Sequence, residues 1–319
     1  MKKNLTFTIA YAAMCCTLIL SSCSKEKPEN NDSVVKTADD PSDPKNESSG
    51  IITEESQLIA YSSQVYNKRD TSKLKYATSG HMNFVYVCAK KLGLSENRAI
   101  IMRDAAMMPD VYQSGLDNAY NQQWSHAYIV TKTFWGMQWL WGDADDDFND
   151  NLNGYSGESE SPEGYNGMWA GYYYNAGNRD LGDWYVGYAC HYITDVSFVL
   201  HTTFPDLDMA LHHFDFEAWI ENNWTAGHNL SQALNNVQAS SYYTITDAKA
   251  GIRSAVQASN YSYSNNGKLA WDNFKASGFP TGAGTGNSNC VYYTKKMIEE
   301  ATKWTGSAIK YALNKYNQW

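Results

Sequence analysis

The chain has 319 residues, with 34 Asp and Glu against 25 Lys and Arg, and a formal charge of −9 at pH 7. Such an acidic surface repels extended polyanions, which argues against sequence-independent binding of duplex nucleic acid. Its six cysteines form no CxxC framework, so stability must come from a core, to which 24 Tyr and 11 Trp can contribute.

Residues 1–22 read as a secretion signal: Lys2 and Lys3, an apolar stretch to Ile19 and Leu20, then small Ser21 and Ser22. Thr6, Thr8 and Thr17 and the shortness of the run argue against a membrane-spanning helix. Leu20-Ser21-Ser22-Cys23 resembles the lipobox of bacterial lipoproteins. That resemblance implies acylation of Cys23 and an extracytoplasmic protein held at the outer membrane or cell surface by a lipid anchor. Removal of residues 1–22 takes two lysines and no acids, so the remainder is more acidic still.

Residues 23–50 are Lys, Glu, Asp, Asn, Ser and Pro, too polar to bury the surface that ordering requires, and they read as a tether. Residues 51–319 contain no second linker and no repeat of 20–50 residues, and predict a single domain. Cys88, Cys190 and Cys290 remain there, an odd number, so at least one thiol stays unpaired.

In chain order, the apolar pattern predicts a helix over His81–Leu92 closed by Gly93, and a second capped by Ser95 running toward Ala106 before Pro109. Trp124–Trp141 is strongly apolar and predicts a buried helix. Asp143–Gly167 predicts a long acidic loop rich in Gly and Ser. Asp183 is placed to cap a helix from Trp184 to Thr203, ended before Pro205, and Asp208 to cap another over Met209–Asn223. Ser231–Ala239 and Thr246–Ala258 predict two more helices, and Val291–Tyr316 the last, after a Gly-rich loop at Gly278–Gly286. Strand-type alternation is scarce, and the class is all-α.

Within this frame, ligand-type side chains pair at helical spacing. His191 and Asp195 are i and i+4, as are His213 and Glu217, which stacks each pair on one helix face. Imidazole nitrogen with carboxylate oxygen is the donor set of a divalent metal such as zinc. His201 follows His191 by ten residues, about 280° around an ideal helix. It therefore leaves the first pair's face unless the helix ends, and a turn before Pro205 would direct it to a second ion beside His213 and Glu217.

The segment Gly187-Tyr188-Ala189-Cys190-His191-Tyr192-Ile193-Thr194-Asp195-Val196, then Leu200-His201, then His213 to Glu217, resembles the core of the zinc-dependent phospholipase C family. Upstream, Ser125-His126-Ala127-Tyr128, Pro109-Asp110 and His81 after Ser79-Gly80 resemble that family's preceding ligand segments, over about residues 80–225. The resemblance implies a multi-helix domain and two or three zinc ions. Asp110, His126, His191 and Asp195 would hold one, and His201, His213 and Glu217 a second. His81 with a bridging Asp195 would hold a third. It further implies hydrolysis of a phosphodiester, a phospholipid first among them, by metal-activated water that Asp110 helps to orient or deprotonate.

The sequence departs from the family pattern in three ways. The third zinc of the family is completed by an N-terminal tryptophan, whereas here a long segment precedes His81. Asp110 and His126 are further apart than in the family, so Asp104 or Asp117 stands as an alternative ligand. Residues 143–167 look like an insertion. The related single-strand nuclease family has HxxxD where this chain has His213 to Glu217, which favours the phospholipase-like branch. A surface-binding lipoprotein with a structural metal cluster is the reading from another class. His212 points about 100° away from His213 and is expected outside the site. Asp143, Asp145, Asp146, Asp147 and Asp150 have the hard oxygen donors for Ca2+ but lack the D-x-[DN]-x-[DN]-G loop pattern.

Overall fold

The computed structural model describes residue 59 and residues 76–109, 129–132, 138–141, 144–154, 169–203 and 207–319. These fold as an all-α domain. The helices are α1 (Tyr76–Lys91), α2 (Glu96–Ala105), α3 (Ala144–Asn153), α4 (Ala170–Asn175), α5 (Arg179–Asp195), α6 (Leu207–Asn222), α7 (Ser231–Asn236), α8 (Ala248–Ser259), α9 (Asn266–Ala276) and α10 (Ser288–Lys315). Between α2 and α3 lies one antiparallel pair of short strands, β1 (Ile129–Lys132) and β2 (Gln138–Trp141), with Ile129 opposite Trp141. Cys23, expected as the lipidation site, the residues expected as a tether, Asp110, Asp117, His126 and Asp143 lie outside the described residues.

Helix starts follow side-chain chemistry. Ser95 accepts from the Arg98 amide, Asn178 from Leu181, Asp247 from Ala250 and Asn287 from Cys290, each satisfying one of the orphan N–H groups of a first turn. The Gly-rich turns that separate the helices take left-handed backbone, as at Gly93 and Gly154.

α5 is the central helix. It packs against α1, α2, α3, α4 and α10, so it is buried nearly all round and includes the fully buried Ala189, Cys190 and Ile193. One hydrophobic cluster joins α1, α2, α3, α5, α8 and the C-terminal half of α10, including Val85, Met102, Phe148, Ile193 and Ile309. The second joins α1 and the residues just after α5 to α6, α7, α9 and the first half of α10, including Phe84, Phe198, Trp219, Trp271 and Ile298. The chain crosses from one cluster to the other between Val196 and Phe198, directly after Asp195. Polar ligand-type residues therefore sit at the seam between two apolar bodies.

Several sequence expectations need correction. Trp124–Trp141 is not one helix: Ile129–Lys132 and Gln138–Trp141 are paired strands. A run such as Ile-Val-Thr is β-branched and fits a pleated pair, and a short apolar stretch does not by itself distinguish helix from strand. The acidic segment after Asp143 is helical over α3. Asp145, Asp146 and Asp147 fill its first turn, where the helix dipole favours negative charge, and Phe148 and Leu152 bury one face. Asp145 is ion-paired with Arg253 and Asp146 with Lys249, both on α8. No grouping of metal-ligand residues forms there among the described residues.

Asp183 does not cap α5, which begins four residues earlier. It is fully buried inside the helix, where Arg98 donates to both its oxygens at 2.7 and 2.8 Å and the Tyr174 hydroxyl donates at 2.7 Å. Arg98 also donates to the Gln318 carbonyl, tying α2, α4, α5 and the C-terminal residues together. α4 and α9 lie outside the expected helices, although Asn265 caps α9 by accepting from the Lys268 amide and Gly278 follows its end. Of the tyrosine run on α4, Tyr172 is exposed and Tyr173 and Tyr174 are buried.

Candidate metal centre

α5 ends at Asp195 rather than at Thr203. Thr194 Oγ1 donates to the Cys190 carbonyl and Ser197 Oγ to the Ile193 carbonyl, so side chains take over acceptors at the end of the helix. Phe198 is extended, and a separate 3-10 turn over Val199–His201 follows. That break decides the placement of His201. It returns toward α5 instead of continuing around it.

The result is a cluster built around Asp195. His81, from α1, has Nε2 3.0 Å from Asp195 Oδ1. His191, one turn before Asp195, has Nε2 3.1 Å from Asp195 Oδ2. His201 Nε2 lies 3.6 Å from Asp195 Oδ1 and 3.6 Å from Glu217 Oε1. His213 Nε2 lies 3.0 Å from Glu217 Oε1. Two ligand groups follow, His81 with His191 and Asp195, and His201 with His213 and Glu217, the ligand atoms in each lying within 4.8 Å of one another. His201 links them, because it is equally distant from both carboxylates.

The donor geometry fits divalent metal. Ligand bonds of about 2.0–2.2 Å in a tetrahedron put neighbouring donor atoms roughly 3.3–3.6 Å apart; the imidazole–carboxylate separations here run from 3.0 to 3.6 Å, with all donor atoms of each group within 4.8 Å of one another. Asp195 turns one oxygen to His81 and the other to His191, as a carboxylate bridging two ions would. His81 and His191 rings stand 4.2 Å apart. The Nδ1 of His81 is buried and has no hydrogen-bond partner among the described residues.

His191 gives the sharpest electrostatic argument. Its Nδ1 is 2.8 Å from the Ala106 carbonyl. A carbonyl only accepts, so Nδ1 carries the proton and donates it there. In the neutral ring Nε2 then holds a lone pair, and it faces a carboxylate oxygen at 3.1 Å. Two acceptors held face to face in a buried site need a proton, on either partner, or a metal ion between them. Ala106 closes the C-terminus of α2, so the negative end of that helix also points at His191. Metal-binding histidines are commonly oriented by such a bond to a carbonyl.

Ala106 reaches His191 because α2 crosses α5 very closely at Gly187, one turn earlier. A Cβ at Gly187 would lie 2.2 Å from the Met102 carbonyl oxygen. The His191 ring is also packed edge-on to Tyr192, whose hydroxyl is raised well above its usual pKa by burial, and then by neighbouring Tyr188 and Asp147. Tyr192, Tyr188 and Trp184 continue as an aromatic wall on that side. The first ligand group is buried throughout, whereas His201 and His213 are part-exposed, so the second group forms the accessible edge.

Glu217 is buried, which raises its pKa. The charges and hydrogen bonds of His213 and His201 outweigh this and hold it down at about 2. The carboxylate is therefore ionised across the whole neutral and mildly acidic range.

Of the remaining expected residues, Asp104 is buried but accepts from Arg103 at 2.7 and 2.8 Å, and belongs to neither ligand group. Asp110, Asp117 and His126 lie outside the described residues. His212 stays out of the cluster, pairing with Asp215 and stacking on Phe279. Residues that pattern reading overlooked are Gly187 and Ala106. A glycine in mid-helix one turn before a ligand was the available signal for the first, and a backbone carbonyl leaves none for the second.

No protein-family model and no curated protein matches this chain. The chemistry of the centre rests on its own geometry.

Proposed function

We propose that the chain is a metal-dependent phosphodiesterase resembling the zinc phospholipase C family. It would act on a phospholipid or related phosphodiester outside the cytoplasm, anchored through Cys23. The observation that carries this reading is the facing of His191 Nε2 and Asp195 Oδ2, with the His191 Nδ1 proton committed to Ala106.

His81, His191 and Asp195 would hold one ion or share two through the carboxylate, and His201, His213 and Glu217 would hold another. By resemblance, Asp110 and His126 complete the first group. Zinc bound there supplies a lowered pKa for coordinated water and neutralises charge on the phosphate oxygens of an in-line displacement. Asp195 fixes the spacing between the groups, since three imidazoles approach its two oxygens. Glu217, ionised and clamped by His213, offers a carboxylate oxygen at the accessible edge. The aromatic wall of Tyr192, Tyr188 and Trp184 excludes water from the inner side. Asp110 is assigned the role of orienting or deprotonating the attacking water.

The burial of His81, His191 and Asp195 favours a second reading, because closed structural metal sites are buried in the same way. A surface-binding lipoprotein with a structural cluster would then hold metal and cleave nothing.

Elemental analysis with a chromogenic phosphodiester assay separates these readings. The proposal expects two or three zinc per chain and cleavage abolished by EDTA and restored by zinc. Metal without cleavage supports the structural cluster. Cleavage of single-stranded nucleic acid but not phosphatidylcholine moves the assignment to the nuclease branch.

A further inference from the structure

α6 is not one straight helix. His212 departs from helical geometry (φ −112°, ψ 15°), and a new straight segment begins at His213 and carries Glu217 one turn on. Sharp kinks have identifiable causes, chiefly Pro, Gly/Ser pairs or an inserted group. The sequence of α6 contains no Pro, Gly or Ser. The break coincides instead with two contacts of the His212 ring, one within the helix and one from outside it.

At the break, the His212 ring lies flat on Phe279, centroids 3.7 Å apart and planes 13° from parallel. Its Nδ1 is 2.7 Å from Asp215 Oδ2. The ring is thus held by one face and one edge. Phe279 reaches it from the loop after α9 through left-handed backbone, with φ +54°. A bulky residue persists in that conformation only where its surroundings over-determine it. Here they do. Asn222 donates to the Thr281 carbonyl, Asn223 donates to Gly282 and accepts from the Gly284 amide, and the Trp219 indole donates to Thr285. The segment that carries His213 and Glu217 therefore anchors the loop at one end and receives Phe279 at the other.

We propose that this loop is a strap that positions a metal ligand: Phe279, stacked on His212, sets the kink and so aims the His213–Glu217 pair, which share one helical turn, at His201. Phe279 is a positioning residue, separated from the ligand by His212. The inference rests on reading His201, His213 and Glu217 as a metal subsite, and the test keeps the two claims apart.

Phe279→Leu retains apolar bulk and loses the flat ring, whereas Phe279→Tyr retains the ring. Zinc is titrated into the full-length protein against a chromophoric chelator. Phe279→Leu should weaken one zinc equivalent by about 10–100-fold, the usual effect of losing an outer-shell support, and leave the others as in wild type. Phe279→Tyr should restore it. In metal-free protein with isotope-labelled histidine, the His213 imidazole resonances should move in Phe279→Leu while those of His191 stay. Wild-type affinity at every equivalent, equal loss at all of them, or unmoved His213 resonances would overturn the strap. A wild-type protein that takes up no zinc would overturn the metal reading, and the His213 resonances would still decide the strap. If Phe279→Leu does not fold, His212→Leu removes the other half of the stack. The same selective loss is expected, and its absence overturns the proposal.

Discussion

Gly187→Ala tests the link between helix packing and the candidate centre. The added methyl would sit 2.2 Å from the Met102 carbonyl oxygen and 2.7 Å from two further backbone atoms, where ordinary contact begins at 3.4 Å. Backbone cannot rotate away as a side chain can, so α2 must retreat from α5 by about 1.2 Å. Moving as a unit, α2 carries Ala106 with it and takes the 2.8 Å bond to His191 Nδ1 out of hydrogen-bond range. Overpacking costs about 1–3 kcal/mol, and leaving a buried donor unpaired about 1–3 kcal/mol. The better helix propensity of alanine returns about 1 kcal/mol. A net loss of about 3 kcal/mol lowers Tm by roughly 6–12 °C in a domain of this size. Differential scanning calorimetry reads that shift, and chelator competition reads the accompanying loss of zinc affinity, about 10–100-fold for a ligand that loses its orienting partner. A Gly187→Ala protein with unchanged or raised Tm and wild-type zinc affinity would refute the reasoning.

Other consequences are as definite. His191→Ala should abolish phosphodiester cleavage and remove metal from the buried group, read by elemental analysis beside the activity assay. Asp183→Ala leaves Arg98 with no carboxylate in a buried site; breaking such a pair costs about 3–5 kcal/mol, visible as a lower urea midpoint with an unchanged slope. Glu217 has its folded pKa depressed from 4.5 to about 2. Its contribution to stability is complete above the unfolded value and is lost as pH falls from about 4.5 toward 2. Metal-free wild type should therefore lose Tm more steeply over that window than Glu217→Gln, by an amount equivalent to about 3 kcal/mol. Burial pushes the thiols of Cys88 and Cys290 up to about 12 and raises that of Cys190 well above its usual range. All three should resist iodoacetamide at pH 8 in the native protein and react once it is denatured, as peptide mass spectrometry would report.

The helical class and most helix starts were legible in the sequence because they depend on local chemistry. Ser95 before a helical run is a cap whether or not anything packs against it, and i, i+4 spacing puts His191 with Asp195 and His213 with Glu217 on one face of any helix. Local rules misled where two residues could play the same part. Asp183 resembled a cap and is instead the buried partner of Arg98, because Asn178 had already begun the helix. The apolar run before Trp141 offered only Gly136 as a breaker, which a helix tolerates, and partner pairing settled it.

For the candidate site, sequence by itself determined which donors exist and which pairs share a helical turn, since these follow from composition and a fixed rise per residue. Only tertiary structure decided that the pairs meet. His81 comes from a helix far back in the chain, His201 turns inward because α5 stops at Asp195, and His213 follows a kink at His212 that the helix's composition, without Pro, Gly or Ser, does not announce. The proton arrangement of His191 was equally out of reach of pattern reading, because it is fixed by a main-chain carbonyl, and every residue carries one. Convergence of this kind is set by packing between distant segments, where a glycine opposite a carbonyl matters more than any motif.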